Sequence, residues 1–499
     1  MKRDKKTTWK TVVLFVVGLV IACSATAFAA DPIYVGPGEK YKTIQDGINA
    51  IRGGATGTVI VRDGTYSGPG NYNITIVRKP ITVRSESNDP AKCTINCIAA
   101  DGTVVNNGFV MYAVVTNGIT IQGFTVRNAV KAVSIDTQAK AAVNNCILKG
   151  NGTGIWCSHF AAANATLCTI TENTVGIDCS CNSSPAIVNC NITANTDGVR
   201  CSTGARPAVQ NCDILNNTGY GLFCTNNASP TVNNGTAITG NKVGVSCASS
   251  SNPSLKGCDI SGNKEAGIHC NNASSPVIDN CNVSGGAGVG IRMNSSCSPT
   301  INGCDISGNP GGGINCTGNC SPKVSNCDIS GNGNPSINGG GIFCTNSCSP
   351  VITNCVIDGN IAQYGGGINC QCSGAAVMTN CTLYKNVASK GAGLRCANAA
   401  TLWVTNCIIW DESPLEVFVE TQGNPQVNYC DVLGWPAGVG NIYAVPEFVD
   451  STSGNYHLSA DSPCVDAGTD TDPNLPASDK DGQPRVQGDD VDMGAYECF

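Results

Sequence analysis

From about residue 132 to residue 432 the chain alternates apolar and polar positions in very short bursts, breaks, and starts again. In Cys-Asp-Ile and in Gly-Ile-His-Cys the apolar residues share parity, the period-2 pattern of a strand with one buried face. Gly, Asn and Ser-Pro separate the bursts, and these are turn residues, Asn tolerating the left-handed conformation at tight corners. No burst in the repeat is long enough, or periodic at 3.6, to be a helix. The word Cys-Asp-Ile-Ser-Gly-Asn begins at Cys258, Cys304 and Cys327, intervals of 46 and 23 residues, so two units and then one. Short strands with a fixed return of about 22 residues describe coils stacked on one another.

One complete unit reads Ser275–Cys297, SPVIDNCNVSGGAGVGIRMNSSC. Its Asn-Cys-x-Val half and a Gly-Ile-x-Cys half alternate mostly 11 or 12 residues apart along the repeat. On these words the chain resembles the right-handed parallel β-helix of the pectin lyase-like superfamily. The resemblance implies an all-β solenoid with three strands per coil, Gly-Ile-x-Cys first, Ser-Pro-Val-Ile second and Cys-x-Ile third. About 15 coils are expected over residues 61–450. It also implies an asparagine ladder at the bend between second and third strands, carried by Asn145, Asn189, Asn211, Asn280, Asn326, Asn354, Asn380 and Asn406. One fold hosts many functions, so none of this fixes the chemistry.

The chain holds 32 cysteines, and most fall at inward positions of the first and third strands. Stacking places each about 4.8 Å from its counterpart on the next coil. Small buried hydrophobes are the simplest account. Disulfides between coils are the alternative, with Cys297, Cys320, Cys348, Cys181 and Cys372, off the two inner ladders, as the best candidates. With no CxxC pair, a zinc or cluster site is not expected.

Residues 1–29 read as an export signal: a basic start, the apolar run TVVLFVVGLVIAC, and Ala27-Phe28-Ala29 for cleavage. A lipobox ending in Cys23 is the second reading, making the chain lipid-anchored. Either way a secreted or cell-surface location is expected, with no membrane span in the mature chain. That segment carries a net +4, so the remainder stands at −11. Such a balance excludes the basic footprint of a nucleic-acid binder. Residues 30–60 should cap the solenoid, because Ile44, Ile48 and Ile51 mark a short amphipathic helix over Tyr41–Ile51. Residues 451–499 leave the repeat. They resemble the tail of secreted β-helix proteins of the choice-of-anchor type, and a C-terminal cap closed by Cys464 and Cys498 is the expectation.

Function should lie on the outer face of the first strands, where the resemblance places the superfamily's active sites. The outward residue of each Gly-Ile-x-Cys word gives a row with Trp156, Asp178, Arg200, Phe223, His269, Arg292, Phe343 and Arg395. A calcium-dependent lyase needs several carboxylates there, and a glycoside hydrolase needs two. The row offers one, Asp178. Exposed aromatics can stack on sugar rings and Arg can grip carboxylate or sulfate. The reading is therefore a noncatalytic rod that binds extracellular glycan, with a divergent polysaccharide lyase or glycoside hydrolase as the alternative. No cofactor is expected. Ca²⁺ is the one ion to consider, because Asp305 and Asp328 on neighbouring third strands should stand about 5 Å apart.

Overall fold

A computed structural model describes residues 31–498, apart from 114–117, 411–415, 421 and 435–436. The expected signal at 1–29, Cys23 included, lies outside the described residues. The chain winds into a right-handed parallel β-helix of about 17 turns. The first sheet has 15 strands, from Ile74–Val77 to Val417–Val419. The second has 17, from Ile33–Val35 to Asn424–Asn428. The third runs as eight strands and then seven, joined where Asp259 bridges Ala237 and Asn282. The count exceeds the expected 15 because pairing begins early. Ile33–Val35, assigned to the cap from sequence, already pairs in parallel with Gly57–Val61 within the second sheet. Between them the helix Ile44–Ala50, capped by Thr43, buries Ile44 and Ile48 over the first coil.

The strand faces follow the period-2 reading. Ile155 pairs with Ile177 and Cys157 with Cys179, all buried, and this continues coil after coil. The glycine of each Gly-Ile-x-Cys word sits where coils touch. A Cβ on Gly176 would lie 2.5 Å from Gly198 O and 2.9 Å from Ile192 Cγ2, so no larger residue fits without a shift.

Apart from the half-buried Cys181 and Cys498, the cysteines of the described residues are buried free thiols, and many of them bond to backbone. Cys212 Sγ donates to Gln210 O (3.2 Å) and accepts from Cys190 N (3.4 Å). No disulfide joins coils among the described residues. Cys297, Cys320 and Cys348 are fully buried, and Cys297 and Cys320 donate to Asn294 O and Thr317 O. Cys370 and Cys372 approach as thiols, 3.0 Å apart.

The interior asparagine ladder is one turn away from its expected place. Asn151, Asn173, Asn195, Asn217, Asn241 and Asn263 stack at the bend between third and first strands, and Asn309, Asn332, Asn360 and Asn386 resume the stack. These are the final residues of the Cys-Asp-Ile-Ser-Gly-Asn word. Asn145, Asn189, Asn211, Asn280, Asn326, Asn354, Asn380 and Asn406 instead turn the corner between second and third strands with φ of 48–54°. Their side chains face outward because a left-handed corner points Cβ away from the core.

The tail does not simply close the end of the rod. It folds back along the third sheet, where Arg485 donates to Asn354 Oδ1, Tyr456 to Asp358 (3.0 Å) and Asn406 to Thr469 O (2.9 Å). Arg485 and Glu497 form a buried ion pair at 2.7 Å beneath it. Cys464 donates to Asp431 Oδ2 and Cys498 to Leu458 O, both within one apolar cluster.

Candidate functional site

The first sheet aligns the eight candidate residues in one outward row. Trp156, Asp178, Arg200 and Phe223 are consecutive register partners. Ser246, His269, Arg292, Asn315, Phe343, Asn369, Arg395 and Phe418 continue it without a gap. Parallel in-register stacking turns one sequence repeat into one step of about 4.8 Å.

At the N-terminal end the row is densely charged. Lys131 Nζ stands 3.2 Å from the Trp156 ring centroid, a cation held over an aromatic face. Burial pushes the Asp178 carboxyl above its usual range, while Arg200 and Lys131 pull it back. Arg200 is bound to Asp197 at 2.7 Å, and Asp197 also accepts from Tyr220 N at 3.1 Å. The Tyr220 ring stacks on Phe223 at 4.8 Å. Arg200 Nε is buried without a partner.

Farther along, His269 Nε2 takes a hydrogen bond from Asn294 at 3.0 Å. Burial, then the neighbouring Arg292, lowers its pKa, so the ring is neutral near pH 7. Arg292 and Phe343 are half-buried. Arg395 is different. It is 7% exposed, bonded to Asn369 (3.1 Å), ion-paired with Glu420 and set 5.0 Å from the Tyr364 ring. Strands Ile361–Tyr364 and Val387–Lys390 pair beside the row here, so the expected open guanidinium is a packed one.

One residue missed from sequence matters. In two of the coils the residue ahead of the Gly-Ile-x-Cys word reaches the residue three positions on, which brings Asp197 to Arg200 and Tyr220 to Phe223. The face thus holds a second carboxylate, Asp197, beside Asp178. The signal was present in the words Asp-Gly-Val-Arg-Cys and Tyr-Gly-Leu-Phe-Cys, but strict alternation assigns that position to the other face.

The second outward row, on the third sheet, pairs Asp305 with Asp328 as expected. Lys480 from the tail lies 2.9 Å from Asp328 and offsets the repulsion between them. Among the described residues no three His, Cys, Asp or Glu side chains converge into a metal-holding group, and no helix is long and apolar enough to cross a membrane.

A family model described as a right handed beta helix region matches residues 107–252, 243–409 and 340–438. The chain belongs to the right-handed β-helix family. No curated protein sequence matches it. Solved structures similar to this β-helix include pectate lyase Pel9A, at 14% identity and TM-score 0.32, covering 94% of this chain and 96% of that one. The A-module of mannuronan C-5 epimerase AlgE6 from Azotobacter vinelandii has 13% identity and TM-score 0.38, covering 79% and 95%. The catalytic unit of a GH87 α-1,3-glucanase from Streptomyces thermodiastaticus has 11% identity and TM-score 0.41, covering 82% and 70%. Function has to be argued from the β-helix's own residues.

Proposed function

We propose that this β-helix is an exported or surface-held rod that binds an extended anionic glycan along the outer face of its first sheet, without turning it over. The observation that carries the reading is the row itself. Cationic and aromatic side chains recur at one-coil steps, with Lys131 and Trp156 at one end and Arg292 and Phe343 toward the other. An anionic sugar chain can lay its rings on the aromatics and its carboxylates or sulfates on Arg. The tail's resemblance to anchoring tails, and the leader, support a place outside the cytoplasm.

Lysis or hydrolysis is the second reading, favoured by one observation. Asp178 holds its proton more tightly than a surface acid, and Asp197 lies close enough to contribute to that rise. Two carboxyl groups on one face are the minimum a glycosidase uses, one as acid and one as base or nucleophile. Against it, Asp197 is committed to Arg200 and to the Tyr220 amide.

Calorimetry with polygalacturonate and alginate, alongside assays of unsaturated products and reducing ends, tests both. Binding without turnover, lost in the Arg200→Ala, Arg292→Ala double variant, is the expected result. Turnover abolished by Asp178→Asn would favour the second reading. Unchanged affinity in the double variant would place the groove elsewhere.

A further inference from the structure

Away from the first sheet, the second sheet and the returning tail line a separate open pocket. Its volume is about 380 Å³, and it is lined by Ala375, Val377, Trp403 and Thr405 from the sheet and by Asp472 and Asn474 from the tail. Val377 and Trp403 are register partners, so they form one continuous floor. The indole is 49% exposed, with Val377 and Gln426 as its register partners on the neighbouring strands.

The wall is held in place rather than draped. Thr469, three residues before Asp472, exchanges two hydrogen bonds with Asn406, each at 2.9 Å. Asp472 uses Oδ1 to accept from Asn474 N (2.7 Å) and Asn474 Nδ2 (3.2 Å), closing its own turn. Its Oδ2 takes no hydrogen bond among the described residues. A rigid carboxylate and amide thus stand beside an exposed aromatic platform, in a space within the roughly 300–1,000 Å³ of small-molecule sites.

The geometry points to a subsite for a neutral pyranose ring, one sugar of a neutral glycan. The apolar C–H face of a pyranose suits an indole, while a carboxylate oxygen accepts from sugar hydroxyls and the amide can donate to them. No cation lines the pocket, and Asp472 repels uronate or sulfate. The class is therefore opposite in charge preference to the ligand proposed for the first sheet. The inference does not depend on that reading.

Isothermal titration with cellohexaose, laminarihexaose, mannohexaose, maltohexaose and hexagalacturonate tests it on the full chain. At least one neutral hexaose should bind with Kd of about 1 mM or tighter. Trp403→Ala should weaken that binding about tenfold or more, and Trp403→Phe should retain a measurable part, because a ring remains. Circular dichroism on each variant reports that the β-helix is intact, as an exposed side chain allows. Absence of binding by all four neutral sugars, or equal affinity in Trp403→Ala, overturns the inference. A chain that binds hexagalacturonate but no neutral hexaose overturns this subsite and leaves the first-sheet reading standing, and the reverse result does the opposite.

Discussion

Asn195 shows how a polar side chain belongs in this core. Its Oδ1 accepts from Asn173 N and Asn173 Nδ2, both at 3.0 Å, and its Nδ2 donates to Ile170 O at 3.0 Å. The arrangement repeats from Asn151 to Asn263 and again from Asn309 to Asn386, so in those coils one amide satisfies backbone groups that the tight bend leaves unpaired. Asn195→Ala should strand several buried groups at about 1–3 kcal/mol each, lowering stability by roughly 3 kcal/mol or more in urea titrations. A cost below about 1 kcal/mol would mean that water replaces the amide. The thiols carry a different expectation. Cys281 is 2% exposed, and Cys281→Asp would bring a charge into a dry stack. The melting temperature should fall sharply, while Cys281→Ala or Cys281→Ser should be far milder. Both ladders are written into the same six-letter word. The cysteine ladder was legible because its parity matches a neighbouring Ile. The asparagine ladder was misplaced because two asparagines recur per coil, and only the path of the bend decides which one points inward.

At the scale of elements, the returning tail is bound to the coils by buried polar contacts. Asp431 is buried where Cys464 meets the third sheet, and burial pushes its carboxyl up to about 6, against hydrogen bonds from Ala444 N and the Cys464 thiol. A folded pKa raised above the unfolded value stabilises the fold below about pH 4, and that contribution is lost as pH rises through about 6. A shift of this size corresponds to about 3 kcal/mol. Asp431→Asn, which mimics the protonated form, should therefore be the more stable protein at pH 7.5 and nearly equal to wild type at pH 4. Urea denaturation at the two pH values measures the difference, and equal stabilities at pH 7.5 would show that the carboxylate is solvated. The tail's position also explains a compositional change along the third sheet. The outward residue runs Asn282, Asp305, Asp328 and then Val356, Thr382 and Ile408, and the last three are buried beneath the tail.

Seventeen strands at about 4.8 Å give the whole molecule a long axis of roughly 80 Å. Small-angle scattering should show a skewed distance distribution whose maximum exceeds that length. A symmetric profile ending near ~60 Å, the diameter of a compact sphere of this chain length, would contradict the rod. The sequence by itself determined the coil, the inward and outward faces, and the order of residues along the first-sheet row. It could do so because parallel in-register stacking maps the interval between repeats directly onto distance, so neighbours on the row are known once the period is known. Only the tertiary structure decided that Arg395 is packed rather than open, that Asp197 joins Asp178, and that the tail lies along the flank to line the pocket at Trp403. Those outcomes rest on contacts with no period behind them. Arg485 meets Asn354 across 131 residues and Thr469 meets Asn406 across 63, pairings that are set by shape and burial rather than by repetition.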